Sequence, residues 1–368
     1  MQVRTYNLYM TIRTLALLAC CVSLLPAATA QTTTEKGFET VHVVKKPKRR
    51  YGYRGMPGDI ELLKDGRLLL SYVSYDPEGA ILARYSEDQG KTWGPEFVLF
   101  AKPTENDGAA YGAPSFLRLR NGDLLAAYIY RPDAMPRYGH NYYRRSKDDG
   151  KTWTDQFDYT PFPGYNLVHN DKLIQLSTGR IIAPLEMELR EEGGDHRGYV
   201  SYTFYSDDDG VSWLKSRNMV NTLPVEAQEP HVVELEDGRL MMLCRTYSGY
   251  VVRSYSEDQG ESWSPGEHLK NLSLPPNSSA LNVKRIPSTG DLLLLRCSDG
   301  VNRWRTPFVS AISKDEGRTW SNQRIIGGSA EDDYGYPSLL FLDGYAIISF
   351  HQRDGLHVAR IPIDWFYE

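Results

Sequence analysis

An eight-residue segment recurs five times along the chain, and it constrains the fold more than any other feature. It reads SEDQGKTW from Ser86, SKDDGKTW from Ser146, SDDDGVSW from Ser206, SEDQGESW from Ser256 and SKDEGRTW from Ser313. The shared pattern is S-x-D-x-G-x-[ST]-W. Its Asp residues, Asp88, Asp148, Asp208, Asp258 and Asp315, are spaced by 60, 60, 50 and 57 positions. A period of this size marks a chain built from stacked supersecondary units. Each part of the motif has a local task. The Asp carboxylate accepts bonds from backbone N–H groups and tightens a turn. Gly permits the positive φ such a turn needs. The Trp is large enough to plug into a neighbouring sheet. These Asp residues read as structural, because catalysis needs one unique constellation rather than five equivalent ones.

A second unit repeats between the octapeptides: two apolar runs joined by a short Gly-containing turn. It appears as IELLKDGRLLLSY from Ile60, FLRLRNGDLLAAY from Phe116, LIQLSTGRIIAP from Leu173, VVELEDGRLMML from Val232, VKRIPSTGDLLLL from Val283 and LLFLDGYAIISF from Leu339. Asp-Gly and Asn-Gly between apolar runs are strong hairpin signals. Each repeat then reads as a hairpin, a third strand, the octapeptide turn and an outer strand. Six such units predict an all-β fold, a six-bladed β-propeller around a central channel. The sixth unit lacks an octapeptide, which fits a seam. Strand-like residues 39–45 precede the first hairpin, and they are expected to supply the outer strand of the sixth blade beside residues 356–363. No long stretch has helical periodicity. Residues 31–368 therefore read as one domain.

Residues 1–30 are set apart from that domain. Arg4 and Arg13 precede an apolar run from Leu15 to Leu25, and Ala28-Thr29-Ala30 offers an A-x-A cleavage site. That is the layout of an export signal peptide. Leu17-Leu18-Ala19-Cys20 also fits a lipobox, but the apolar run continues past Cys20 to the A-x-A site, which favours soluble export. Periplasmic or secreted localisation is the expectation. No other apolar run approaches the ~20 residues of a membrane helix. The first thirty residues hold two Arg and no acid, so 40 basic and 47 acidic side chains remain and the formal charge is −7. Nothing in that balance points to a nucleic-acid partner. Oligomeric state is not legible. Cys244 and Cys297 are the two Cys of residues 31–368. The repeat alignment puts them one position out of phase on neighbouring blades, so buried free thiols are expected rather than a disulfide. No Cys or His cluster has zinc spacing and no EF-hand loop is visible. Neither a metal nor an organic cofactor is implied.

The five octapeptides resemble the Asp boxes of the sialidase-like superfamily. With six predicted blades and an export signal, the chain resembles secreted exo-sialidases over essentially all of residues 37–368. Asp boxes specify the fold strongly and the reaction weakly. Sialidases act on a sugar whose carboxylate sits on the anomeric carbon. The resemblance therefore implies a Tyr nucleophile activated by Glu, an Asp acid/base and three Arg that grip the carboxylate. In EPHVVELEDGRLMMLCR, Glu229 matches the activating Glu and Arg245 a triad Arg. Arg305, in RTPFVSAISKDEG, matches the last triad Arg, with Arg303 as rival. Tyr336, in DDYGYPSLLFLDG, matches the nucleophile, with Tyr334 as rival. Asp76, in the SYDPEG segment, matches the acid/base, with Asp59 and Asp107 as rivals. The first motif departs from the family. Arg54-Gly55-Met56-Pro57 stands where R-I-P is usual, so Arg54 is one position off register.

The implied activity is that of a retaining exo-α-sialidase, a glycoside hydrolase releasing a terminal carboxylated sugar from a glycan partner. The displaced Arg54 keeps a second reading open: a propeller glycosidase or lyase acting on another acidic, uronate-type glycan. A non-catalytic glycan-binding propeller is the third. Asn170, Asp171, His231, Gln228, Asp332, Asp333 and Tyr111 could line the same channel end, as flanking or surface groups. His169 and His231 are candidate bases only if the chemistry is not sialidase-like.

Overall fold

The computed structural model describes residues 32–33, 37–45, 58–75, 78–104, 109–132, 139–160, 164–190, 196–274, 279–298 and 305–368. Arg54, Asp76, Arg303, Asp107 and the leader-like residues 1–30 lie outside them.

Six antiparallel sheets form six blades. The first contains Gly58–Leu62, Leu68–Tyr75, Glu78–Ser86 and Phe97–Phe100, and the later blades repeat that inner-to-outer order. Successive strands are neighbours within a blade, because short turns favour adjacent antiparallel pairing. The last blade departs from this. Its inner three strands are Gly335–Leu342, Tyr345–Gln352 and Gly355–Pro362, and its fourth is Glu39–Lys45 from the start of the described chain. Val41 pairs with Val358 and Thr40 with Ala359. The ring is closed by hydrogen bonds between the two ends of the chain, as the sequence predicts. Thr32–Thr33 adds a short fifth strand.

Each pair of adjacent blades encloses its own apolar cluster. Leu69, Ala83, Phe116 and Tyr128 fill the space between blades one and two, and Leu243, Leu281, Val283 and Leu294 that between blades four and five. The octapeptide Trp residues pack into these seams: Trp153 against the first of those clusters, Trp320 against the second, and Trp263 buried between blades three and four.

The octapeptide geometry is the same at all five copies. Gly90 N–H donates to Ser86 Oγ (2.8 Å), while Thr92 N–H and Oγ1 donate to the two Asp88 oxygens (2.8 and 2.6 Å). Hydrogen bonds from Thr152 and Ser146 hold the Asp148 carboxyl at about 2. The fourth position also has positive φ, from 55° at Gln259 to 66° at Asp149. That residue latches onto the hairpin turn of the preceding blade. Asp149 accepts from Lys64 N–H, Asp209 from Asn121, Gln259 from Thr178 and Glu316 from Glu236 N–H, while Gln89 donates to Asp343. Blade six has no octapeptide, and a C-terminal 3-10 helix, Ile363–Tyr367, stands in for it. Trp365 and Phe366 fill the seam with blade five, and Tyr367 Oη bonds Thr289 and Asp291 at that blade's hairpin turn. Hairpin turns and octapeptides thus share one end of the ring. Inner strands begin, and second strands end, at the other.

Candidate active site

The inner strands deliver their first side chains to that second end through bulges. Glu229, Tyr336 and Ala113 occupy matching places in blades four, six and two. Each precedes a Pro and each has positive φ, 46°, 50° and 45°. The pairing register shifts beside each of them, between Gln228 and His231, Gly335 and Ser338, and Gly112 and Ser115. A residue before Pro normally stays in the extended region. Holding L side chains at positive φ costs on the order of 1–3 kcal/mol each. A bulge re-aims the side chain it carries. In blades four and six that side chain is a carboxylate and a phenol, and they meet.

Tyr336 Oη donates to Glu229 Oε1 at 2.8 Å. Arg245, the last residue of strand Leu240–Arg245, places Nη1 2.7 Å from the same oxygen. The Arg305 guanidinium lies 5.5 Å from the centre of the Tyr336 ring. Arg305 is anchored through its own N–H, which donates to Asp333 at 3.0 Å. Glu229, Arg245 and Arg305 are all buried. Burial alone would raise the Glu229 carboxyl, but the charges of Arg245, then His169 and Arg305, outweigh it and hold the group at about 2. Burial, reinforced by the Glu229 charge, pushes the Tyr336 phenol up to about 12. At neutral pH the pair is therefore carboxylate and phenol, with the proton on Tyr336. Glu229 Oε2 accepts no hydrogen bond among the described residues. A buried carboxylate oxygen without a partner is rare outside functional sites.

Two further groups support this cluster. His169 Nε2 sits 3.1 Å from Glu186 Oε1 and 4.0 Å from Glu229 Oε1, and its ring stacks on Tyr336 with centroids 5.8 Å apart. Glu186 Oε2 accepts the Glu229 backbone N–H at 2.9 Å. Neither stood out as part of this cluster from sequence. The signal for His169 is the HNDK segment, where blade three's inner strand splits into Asn166–Leu167 and Ile174–Gln175. The gap faces Ala183–Leu185 of the next strand, where Pro184 offers no amide hydrogen. Glu186, in IIAPLEMELR, is a charge inside an apolar strand.

The split strand also fills the channel below the site. Asp59, Ser115, Lys172, His231, Asn282 and Ser338 come from matching places on the six inner strands, and all are buried. Asp171 accepts from Asn282 (2.7 Å), Lys284 (2.5 Å) and Leu339 N–H (2.8 Å). Lys172 Nζ bonds the Leu281 carbonyl. Asn170 bonds the carbonyls of Gly58 and Tyr336, at 2.9 and 3.0 Å, tying blades one, three and six together under the phenol. This is a polar plug in which most buried polar groups pair with one another, Asn170 Oδ1 and Asn282 Oδ1 being exceptions among the described residues. Asn170, Asp171 and His231 are thus interior groups rather than surface ones. His231 is fully buried against the Asp171 carbonyl (3.0 Å).

Two of the rivals, Tyr334 and Asp59, lie among the described residues, and both are engaged elsewhere. Tyr334 is buried with Phe308 and Phe350 in the seam between blades five and six. Asp59 spends its two oxygens on the N–H groups of Ile60 and Phe116 (2.8 and 2.6 Å), inside the plug. Of the six candidate residues, Tyr336, Glu229, Arg245 and Arg305 converge. Arg54 and Asp76 fall outside the described residues, as do Arg303 and Asp107. Cys244 and Cys297 are free and buried, in separate clusters.

A propeller of six latched blades with a Tyr–Glu–Arg cluster at one mouth defines a class, the Asp-box propellers. The BNR repeat-like domain model matches residues 66–348. The chain belongs to that family, and with it to the sialidase superfamily. It is 27% identical over 337 residues to a sialidase of Micromonospora viridifaciens, which covers 82% of this chain and 50% of that protein. The chain thus spans half the length of that relative. Among solved structures, a protein of unknown function from Dyadobacter fermentans superposes with TM-score 0.69 at 19% identity, covering 89% of this chain and 99% of that one. A Hadza microbial sialidase superposes with TM-score 0.68 at 20% identity, covering 84% and 66%. These structural likenesses concern the fold.

Proposed function

We propose that the chain is a retaining exo-glycoside hydrolase of the sialidase type, releasing a terminal carboxylated sugar from glycans. The observation that carries this reading is the 2.8 Å bond from Tyr336 Oη to an ionised, buried Glu229 with Arg245 and Arg305 beside it. An anionic nucleophile would be repelled by a carboxylate on the anomeric carbon. A phenol that keeps its proton until attack avoids that repulsion. Tyr336 attacks, and Glu229 takes its proton. Arg245 and Arg305, joined by Arg54, hold the sugar carboxylate. Asp76 protonates the leaving oxygen and then activates water. The strands flanking these last two residues, Gly58–Leu62 and Leu68–Tyr75, begin and end at the mouth that carries Tyr336.

The site also has a built-in order of events. The positive charge that keeps Glu229 a weak base comes mainly from Arg245. A substrate carboxylate docked on that guanidinium offsets the charge, so Glu229 becomes more basic when substrate is present. The export-signal layout of residues 1–30 supports an activity outside the cytoplasm, carried by residues 31–368.

The test is fluorophore release from an α-sialoside by wild type, Tyr336→Phe and Glu229→Ala. Both variants should lose about a thousandfold or more in kcat/KM. Equal activity in all three would refute these roles. An ultraviolet-absorbing unsaturated product from a uronate polysaccharide, without sialoside cleavage, would replace hydrolysis by elimination. Tight glycan binding without turnover would replace the enzyme by a lectin.

A further inference from the structure

We propose that His42, Asp354 and His357 form a binding site for a zinc-type divalent cation, clipping the strand that closes the propeller to its last blade. His42 lies in the N-terminal strand Glu39–Lys45 and His357 directly opposite it in Gly355–Pro362. Asp354 sits in the turn leading into the second of these strands. The pairing register shifts between His42 and Val44, so a bulge aims the His42 ring. The two imidazoles stack with centroids 4.1 Å apart. One potential ligand atom from each of the three residues lies within 4.8 Å of the others.

The distances suit one ion. His357 Nε2 is 2.9 Å from Asp354 Oδ1, and His42 Nδ1 is 3.9 Å from Asp354 Oδ2. Metal–ligand bonds of about 2.0–2.1 Å in a tetrahedron imply ligand–ligand edges of about 3.3 Å. The two observed separations, one to each oxygen of the same carboxylate, bracket that value. Two imidazoles and one carboxylate favour zinc and its transition-metal neighbours over magnesium or calcium, which prefer all-oxygen sets. The side chains are 15%, 26% and 11% exposed, so an ion can enter and keep water as a fourth ligand. Phe350 stacks on His357 at 5.9 Å and forms an apolar floor.

The position gives the clip a purpose. His42 and Asp354 are separated by 312 residues, and the strands that carry His42 and His357 join the two ends of the ring. An ion bound only by the closed ring stabilises it by linkage. Sequence spacing could not show this site, because its ligands come from opposite ends of the chain.

The test uses the full chain, stripped with chelator. Zinc ions are titrated against a chelating dye, and thermal melting is followed with zinc, magnesium or calcium. One equivalent of zinc should bind and raise the melting temperature, while magnesium and calcium leave it unchanged. His42→Gln/His357→Gln and Asp354→Asn should each weaken zinc binding at least tenfold. His196→Ala, removing an exposed His beside Glu188 and Glu226, should not. Absence of zinc binding by wild type, or unchanged binding in both variants, overturns the proposal. Should the variants fail to fold, an anomalous peak at the zinc edge in wild-type crystals decides it. A peak at the His42–His357 pair supports the site, and none there overturns it.

Discussion

Replacing Arg245 by Met should invert the pH dependence of stability. In the native site Glu229 is held at about 2, against an ordinary 4.5, and Arg245 is the largest of the attractions that hold it there. A depressed carboxylate stabilises the fold fully above 4.5, and that stability is lost as pH falls from 4.5 towards 2. The gap corresponds to roughly 3 kcal/mol. Removing one partner of a buried pair costs about 3–5 kcal/mol by the general rule, so the two routes agree. In Arg245→Met, burial becomes the dominant influence on Glu229 and pushes it above 4.5, although His169 and Arg305 remain. A raised carboxyl reverses the sign: its contribution is fully present below 4.5 and is lost as pH rises through the new value. The assay is thermal unfolding of both proteins from pH 3 to pH 7. At about 2 cal/mol/K per residue, 3–5 kcal/mol is a deficit of about 4–7 °C for the variant at pH 7. The deficit should shrink steadily towards pH 3. Adding Glu229→Gln to the variant should recover most of it at pH 7. A deficit that stays constant with pH, or a double variant no better than the single one, refutes the claim that Arg245 keeps Glu229 ionised.

The other expectations need one measurement each. Asp258→Ala removes a carboxylate that accepts from Ser256, Ser262 and the Ser262 N–H; it should lower the melting temperature while leaving sialoside kcat/KM unchanged, and a selective loss of activity would contradict a structural role for the repeat. Trp263→Ala empties a seam in which Trp263 is 4% exposed; the loss should be about 3–5 kcal/mol in urea unfolding. Asp59 is raised well above its ordinary value by burial and then by the Asp171 charge; its contribution to stability is present at low pH and lost as pH rises through the raised value, so Asp59→Asn should flatten the alkaline limb of the stability profile and keep activity. Burial pushes the Cys244 thiol up to about 12 and the Cys297 thiol to about 11; neither should react with a thiol reagent at pH 8 until the protein is unfolded.

Much of the architecture is a local property of the sequence. The octapeptide's turn is made by atoms within seven residues of one another, so its pattern survives as text, and its repetition counts the blades. Hairpin turns are equally local. The outer strand at residues 39–45 was also legible, because a ring must close and only the chain ends were left to close it. The C-terminal 3-10 helix was not, since IDWFYE shares the function of an octapeptide without its pattern. Residue types at motif positions pointed to Glu229, Arg245, Arg305 and Tyr336. Their convergence depends on bulges in different blades and on Asn170 pinning the Tyr336 carbonyl across a separation of 166 residues. The choice of Tyr336 over Tyr334 rests on which way two residues of one segment point, and alternation along a strand cannot be phased across a bulge. Glu186 was invisible for the same reason, while His169, Asn170, Asp171 and His231 were legible as residue types near the channel but not as the hydrogen-bonded partners they become. A sequence records which side chains are near in the chain, whereas hydrogen bonding between blades depends on the closed ring, which alone brings residues a hundred positions apart to within 3 Å.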